Sequence, residues 1–469
     1  MRLKLLTAAI VASWGVSAAQ PKSVEELWQI LERQQRQIEA LQRKLERLEA
    51  KKPTELEKRI EKRVEEKLGE RTSILARELE KLRTMLLIPE EKKYKSVWGL
   101  GPAASKVYQL ERGLSLGGYG EGHYRVLVDD QGGGKDRADF VRLVLYAGYR
   151  FTDRLLFNIE IEFEHGTTGE GAEEKGSVSV EFAYLDFLFD RRLNARAGMV
   201  LIPVGFINLI HEPPFYFGNN RPLVETVIIP TTWGEIGAGI FGEVLPGLSY
   251  SLYGVNSLKG EAFSAKKGIR EARQSGSKAL AESLAFTGRI DYRPPFFRSL
   301  TLGASAFIGD TGQDQRFGNR KLDLFTQIYE GHLQLNYRGL HLKGLGAVAR
   351  IDGAGALSRI KGGDPIGNLM FGWYTEVAYD LMPWFNRLLG WEALETQSFE
   401  PFFRYERWDT QAELSGGFRE SGRFDRRIWQ VGLHYRPHPN VVLKADYRNW
   451  DSDSGDLPDD FNLGIGFIF

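Results

Sequence analysis

Residues 155–164 read LLFNIEIEFE, and from Phe157 to Glu164 an apolar side chain alternates with a polar one at every position. Successive side chains of a β-strand point to opposite faces, so this stretch predicts a strand with one apolar and one acidic face. Soluble β-sandwiches and transmembrane β-barrels both show such alternation. The lengths of the connections between strands therefore decide between the two classes of protein.

Similar alternating segments recur from residue 113 to residue 469, separated in turn by long and short connections. Residues 165–177 and 203–235 are long connections, whereas residues 339–340 form a tight turn. Long loops at one end and short turns at the other are typical of outer-membrane barrels, which close because lipid cannot pair a free strand edge. The sequence predicts an all-β transmembrane protein, a 16-stranded antiparallel outer-membrane β-barrel preceded by an α-helical coiled coil. One short-turn position, 381–397, is long, and a short interfacial helix is one interpretation of it.

The first 112 residues are organised differently from the barrel. A basic start, an apolar stretch and small residues predict a secretory signal peptide over residues 1–19. Apolar residues at heptad spacing predict a periplasmic coiled coil over residues 20–90, and its narrow apolar stripe implies partner chains. A single helix lying on the barrel is the alternative. We assign residues 91–112 to a linker and 113–469 to the barrel. The first heptad positions are Leu27, Leu31, Gln34, Ile38, Leu41, Leu45 and Leu48.

Composition argues against several classes of function. Basic and acidic residues number 62 each, so the net charge is zero and nothing indicates nucleic-acid binding. The absence of cysteine excludes disulfides and thiolate metal sites. The seven histidines lack metalloprotease spacing, and no Ser–His pair is evident for a barrel phospholipase. We therefore expect no enzyme activity, no metal and no cofactor.

The longest connection, residues 203–235, is too apolar and proline-rich to extend into solvent. Folded into the barrel, it would bury its apolar side on the wall and narrow the pore. The alternative is a structural brace in which Arg221 pairs with Glu225. The side chains predicted to line a constriction are His211, Glu212, Asn220, Arg221 and Glu225.

Strand alternation also predicts which charged side chains face the interior. Both signs occur among them, and mixed charge produces weak ion selectivity. The fourth loop is basic and would concentrate anions at the mouth, although a solvated loop is the simpler interpretation. We expect little ion preference or a mild preference for anions. The predicted lumen-lining residues are Arg142, Glu160, Glu162, Arg196, Arg404, Glu406, Lys444, Asp446 and Arg448.

Three short motifs carry a resemblance to known proteins: Pro203-Val-Gly205, Asn220-Arg221-Pro222 and Ile229-Pro-Thr-Thr-Trp233. The chain resembles the superfamily of phosphate-selective porins O and P, including the DcaP-like porins that carry an N-terminal coiled coil. The terminal aromatic strand, residues 461–469, also resembles the sorting signal of outer-membrane barrels. The resemblance implies a sixteen-stranded barrel whose third loop folds inward, and a homotrimer joined by coiled coil and barrel walls. The basic ladder of that superfamily is replaced here by mixed charges.

From this resemblance we expect an outer-membrane porin of a diderm bacterium, with its coiled coil in the periplasm. Small hydrophilic solutes would diffuse passively through a water-filled channel. Outer-membrane lipid is an expected partner, and nucleic acid is not. The alternative function is a structural tether between the outer membrane and peptidoglycan, with an incidental pore.

Overall fold

The computed structural model describes residues 24–48, 95–128, 134–166, 176–317, 320–390 and 396–469, and residues 62–64, 67, 69, 72 and 73. The chain divides into two compact units, residues 1–93 and 94–469. The predicted signal peptide and the region around residues 49–61 lie outside the described residues.

The first unit contains helix α1, Val24–Leu48. Its side chains form pairs one turn apart, such as Arg36 with Glu32 at 2.8 Å. Trp28, Leu31 and Ile38 are exposed on the single chain. The helix is therefore as expected in this range, and its association into a coiled coil stays a prediction.

The second unit is a closed antiparallel barrel of sixteen strands, which confirms the predicted fold class. Each strand pairs with its neighbours in sequence, and the first strand pairs with the last. Two short helices, α2 (Ala354–Lys361) and α3 (Met382–Leu389), lie in connections between strands. The strands are β1 (Gly113–Leu127), β2 (Arg137–Thr152), β3 (Leu155–Glu164), β4 (Val178–Leu188), β5 (Asn194–Leu201), β6 (Gly234–Leu245), β7 (Leu248–Asn256), β8 (Leu284–Tyr292), β9 (Leu300–Asp310), β10 (Phe325–Tyr337), β11 (Leu340–Ile351), β12 (Leu369–Tyr379), β13 (Ser398–Glu413), β14 (Asp425–His438), β15 (Val441–Ser452) and β16 (Gly455–Ile468).

Burial along β3 shows which face of the sheet is which. The polar residues Asn158, Glu160 and Glu162 are buried inside, whereas the apolar Phe157 and Ile161 remain partly exposed outside. A soluble β-protein places its apolar face inward, so this inverted arrangement is that of a barrel surrounded by lipid. Among the described residues, no helix has the length and apolar character needed to cross a bilayer.

The barrel closes where β1 meets β16. Phe469 and Gly118 exchange two backbone hydrogen bonds, of 3.0 and 2.9 Å. Gly120 pairs with Phe467, and a Cβ added at Gly120 would lie 2.6 Å from the Phe467 ring. The glycine is required here because the aromatic ring lies directly over the strand.

The two ends of the barrel differ in their connections. We call the end with turns such as Asp153–Arg154 the short-turn end, and the opposite end the long-loop end. From the long-loop end, L3 (residues 202–233) and L4 (residues 257–283) fold into the barrel. Their apolar residues, including Ile228 and Phe263, form one continuous core with the wall.

A third segment, residues 95–112, enters the barrel from the short-turn end, and we call it the lumenal segment. Leu100, Ala103 and Val107 are buried, and the first two belong to the same core as L3. A short 3-10 helix, Lys106–Gln109, packs against β1, β2 and β3. The structure thus differs from the expectation of a linker, because small and apolar residues here fill space inside the barrel.

Candidate pore constriction

L3 begins with a tight turn that a wall-facing carboxylate holds in place. Glu225 accepts hydrogen bonds from the backbone N–H of Phe206 (2.7 Å) and Ile207 (2.8 Å) through one oxygen. Its other oxygen accepts a bond from the Tyr374 hydroxyl at 2.6 Å. Gly205 precedes the turn with a φ of 78°. Glu225 is only 1% exposed, so it fixes the shape of L3 and does not face open space.

The middle of L3 crosses to the opposite wall, where Arg404 holds it. Arg404 donates to the carbonyl oxygens of Phe217 (2.6 Å) and Asn220 (3.3 Å) and pairs with Glu376 at 2.8 Å. Glu406 accepts the N–H of Leu223 at 2.6 Å. These inward-facing charges bind the loop backbone, which leaves them unavailable to a passing solute.

β15 supplies a second clamp on the same part of L3. Lys444 donates to the carbonyl oxygens of Tyr216 (3.1 Å) and Gly218 (2.9 Å). Asp446 accepts both the backbone and side-chain N–H groups of Asn219, at 2.7 and 2.6 Å. Charge-assisted bonds of this kind are stronger than neutral ones, so neighbouring strands of one wall hold the middle of L3 firmly.

Two adjacent residues of L3 bind the wall and the lumenal segment, respectively. His211 Nε2 lies 2.9 Å from a carboxylate oxygen of Glu160 on the wall. One Glu212 oxygen accepts the backbone N–H groups of Ala103 (3.0 Å) and Ala104 (3.2 Å). Burial raises the pKa of Glu212 to about 7, although these two N–H groups act in the opposite direction. Glu212 therefore links two segments that enter the barrel from opposite ends.

The lumenal segment also bonds to the wall. Tyr108 donates to Asp186 at 2.6 Å, and the same carboxylate pairs with Arg196 at 2.7 Å. Asn158 donates its side-chain N–H to the carbonyl of Ala104 at 2.9 Å. Buried polar groups of β3, β4 and β5 thus find their partners in this segment.

A cavity of about 680 Å³ remains between L3, L4 and the wall formed by β1–β5. Arg142 lies on the wall and pairs with Glu121 and Glu162, both at 2.8 Å. Arg221 projects from L3 and donates to the Thr231 hydroxyl at 3.2 Å. Its Nε and Nη2 atoms have no hydrogen-bond partner among the described residues.

L4 adds two more arginines to the same cavity. Arg273 donates to the Thr231 and Thr232 carbonyls. Burial, together with the like charges of Arg273 and Arg221, lowers the pKa of Arg270 to about 10. The loop side of the cavity is therefore positively charged, and the wall side carries acids. The charged residues that line it are Glu121, Arg142, Glu162, Glu164, Glu181, Arg221, Arg270 and Arg273.

An aromatic layer lies below the cavity, toward the short-turn end. Tyr119, Tyr146 and Phe182 are buried, with ring centroids 6.1 and 6.0 Å apart. The His211 ring lies 5.8 Å from that of Tyr119. Along this part of the wall, L3 and the lumenal segment cover the aromatic layer, so its rings do not face open space.

The predicted site residues divide into two groups. Asn220, Arg221, Arg142 and Glu162 line the cavity. His211, Glu212 and Glu225 were expected to line the constriction, but they are buried and anchor L3 instead. The contacts among the described residues do not include the alternative pair of Arg221 with Glu225. The other predicted lumen residues face inward but are buried against L3, the lumenal segment or the wall: Glu160, Arg196, Arg404, Glu406, Lys444, Asp446 and Arg448.

Sequence reasoning missed part of the cavity. Arg270 and Arg273 were recognised only as members of a basic loop. Glu121 follows the inward-facing Tyr119 by two positions, and strand periodicity alone identifies it. Glu181 lies beside a register shift between β3 and β4, which periodicity does not reveal.

Comparison with known proteins places the chain in a family. No protein-family profile matches the sequence. A protein of Aquifex aeolicus (strain VF5), described only as uncharacterized, is 39% identical over 399 residues, which cover 83% of this chain and 87% of that protein. The chain belongs to the family of this Aquifex protein. The match extends over most of the chain, so the family shares much of the architecture described above.

The chain is also similar in fold to solved structures of outer-membrane proteins. OmpF of Salmonella typhi, solved with daunomycin, is 14% identical, covers 76% of this chain and 98% of its own, and superposes with a TM-score of 0.51. The outer-membrane channel DcaP of Acinetobacter baumannii is 12% identical, with coverages of 76% and 97% and a TM-score of 0.45. The match to OmpF shows that the chain has the fold of an outer-membrane porin, while membership of the phosphate-selective superfamily stays a prediction.

Proposed function

We propose that the protein is an outer-membrane channel through which small hydrophilic solutes diffuse passively. The observation that carries this proposal is the charged cavity of about 680 Å³ inside a closed sixteen-stranded barrel. Charged side chains on opposing sides keep such a space hydrated, and a barrel of this width cannot be filled by wall side chains alone. The long loops would face outward and the short turns the periplasm.

The cavity also supports a mild preference for anions. Arg142 pairs with both Glu121 and Glu162, whereas two nitrogens of the Arg221 guanidinium have no hydrogen-bond partner among the described residues. Arg270 and Arg273 lie on the same side of the cavity. An anion entering from the long-loop end would therefore meet three arginine side chains on the loop side of the cavity, which raises its local concentration there.

The reversal potential of the full-length protein in a planar bilayer, under a potassium chloride gradient, tests this preference. We expect a small potential of the sign that indicates anion selectivity. Arg221→Ala should move the potential toward zero, because it removes a positive charge from the loop side of the cavity. Arg419→Ala is the matched control, since Arg419 is exposed outside the cavity and should leave the potential unchanged. A strong cation preference would contradict the proposal.

The same proposal includes a homotrimer, with the N-terminal helix in the periplasm. The apolar residues of α1, including Leu31 and Ile38, are exposed on the single chain. Heptad-spaced apolar side chains become buried when such helices associate, which supports an oligomer. No enzyme activity is proposed.

A further inference from the structure

The connection between β12 and β13 carries a well-formed helix at the short-turn end. The Asp380 carboxylate accepts the N–H groups of Met382 (2.9 Å) and Phe399 (3.1 Å), which fixes the start of α3. Gly390 ends α3 in a left-handed conformation and donates to the Asn386 carbonyl at 2.9 Å. The helix is therefore capped at both ends by groups of its own connection.

The side chains of α3 are strongly apolar and exposed. Trp384 is 70% exposed and Leu388 is 78% exposed, and they lie one helical turn apart. Phe385 and Leu389 form a second exposed pair with the same spacing. A small helix that left four such side chains in water would be unfavourable, so a covering partner is expected.

The contacts of α3 locate it on the outer side of the barrel. The Phe385 ring lies 5.7 Å from the Phe399 ring in an edge-to-face arrangement. Phe399 precedes Glu400, which is buried inside the barrel, so strand alternation directs Phe399 outward. Leu381 also donates its N–H to the Phe399 carbonyl at 2.8 Å.

The outer surface above α3 is the part of the wall that faces lipid. Phe403 and Tyr405 continue the outward row of Phe399 along β13 and pack on Trp429 of β14, at 5.5 and 4.3 Å between ring centroids. The exposed face of α3 is thus continuous with the lipid-facing aromatic surface. Aromatic side chains are typical of the boundary between hydrocarbon and headgroups.

We propose that α3 lies in the phospholipid boundary at the short-turn end and anchors that rim of the barrel to the bilayer. Leu388 and Leu389 would enter the acyl region, and the Trp384 indole would lie near the glycerol level, where its N–H can donate to lipid oxygens. Arg387, which is also exposed, would extend toward the phosphate groups. Phe296 at the same end is 87% exposed and would add to this anchor.

Fluorescence quenching in vesicles tests the proposal with the full-length protein. The protein is reconstituted into phosphatidylcholine vesicles whose acyl chains carry bromine near the glycerol end or near the methyl end. Subtracting the emission of Trp384→Phe from that of the wild type isolates Trp384 among the ten tryptophans. We expect this difference emission to be quenched more by bromine near the glycerol end, and iodide in the water to quench it little.

Trp98→Phe is the matched control, because Trp98 packs on Phe241 inside the barrel, with ring centroids 5.2 Å apart. Its difference emission should not respond to brominated lipid. If iodide quenches the Trp384 emission and brominated lipid does not, the helix lies in water and the proposal is wrong. If neither quenches it, another protein surface or a second copy covers α3, which also overturns the proposal.

Discussion

L3 and the lumenal segment enter the barrel from opposite ends and are held in different ways. L3 is bound by wall residues on several strands, among them Arg404, Lys444 and Asp446. The lumenal segment has fewer wall contacts, and Glu212 of L3 accepts two of its backbone N–H groups. L3 is therefore the fixed element, and the lumenal segment depends on L3 for part of its position.

The largest expected effect comes from removing an anchor of L3. Arg404→Ala leaves the buried Glu376 with only the longer pair to Lys343, at 3.7 Å, which costs up to about 3–5 kcal/mol. The midpoint of urea-induced unfolding in detergent should fall accordingly. Single-channel conductance should rise in the protein that still folds, because the carbonyls of Phe217 and Asn220 lose their donor.

Arg191→Ala provides the comparison for that measurement. Arg191 pairs with Glu243 at the exposed short-turn end, and surface pairs of this kind contribute about 1 kcal/mol or less. Equal losses of stability in the two variants would show that Arg404 does not anchor L3.

A smaller, pH-dependent effect is expected where L3 meets the lumenal segment. The pKa of Glu212 is about 7 in the folded protein against an ordinary value of 4.5, because burial disfavours the carboxylate. The folded state binds the proton more tightly than the unfolded state does. The contribution of Glu212 to the free energy of unfolding is therefore most favourable at low pH. It should weaken by at most about 3 kcal/mol as pH rises from 4.5 through 7.

Cysteine labelling measures this change directly, since the natural chain has no cysteine. Ala104→Cys is buried in the docked segment, and Ser454→Cys in an exposed loop corrects for thiolate formation. Relative labelling of position 104 by a membrane-impermeant maleimide should rise between pH 5 and pH 8. Adding Glu212→Gln should remove the pH dependence, and a retained dependence would assign it to another group.

The smallest effect is expected from one wall contact of the lumenal segment. Tyr108→Phe removes the hydroxyl that donates to Asp186 and accepts from Arg196, while Arg196 continues to pair with the Asp186 carboxylate. A net loss of about 1 kcal/mol should raise labelling of Ala104→Cys about fivefold. Arg404→Ala should raise the labelling of Ala104→Cys less than Tyr108→Phe does, because Arg404 binds L3 and not the lumenal segment.

The barrel follows from sequence because lipid leaves only one arrangement for alternating strands. Phe157 and Ile161 face outward and Glu160 and Glu162 inward, as periodicity requires. L3 was also predictable, because its prolines and apolar residues would be unfavourable in solvent. The individual roles of its residues were not, because the partners that the fold brings to Glu225 and Arg221 decide which of them is buried and which lines the cavity.

The lumenal segment escaped sequence analysis because it has neither strand nor heptad periodicity. Residues 95–110 contain only two charged side chains, Lys95 and Lys106, between a highly charged helix and the barrel. A solvent-exposed linker seldom has so few charges, and this composition is the signal that could have indicated burial. The carboxylate that receives Ala103 and Ala104 lies more than 100 positions away in the chain, beyond the reach of local patterns.

The pairing of Gly118 with Phe469 has a consequence for how the protein forms. Gly118 lies in the first strand and Phe469 directly follows the last, so the ring of hydrogen bonds cannot be completed until both ends of the barrel sequence meet. Contacts of such long sequence separation form slowly, and the unpaired edges of β1 and β16 would meanwhile be available to other chains. The rate at which this pair forms should therefore set how long the nascent protein needs protection from aggregation.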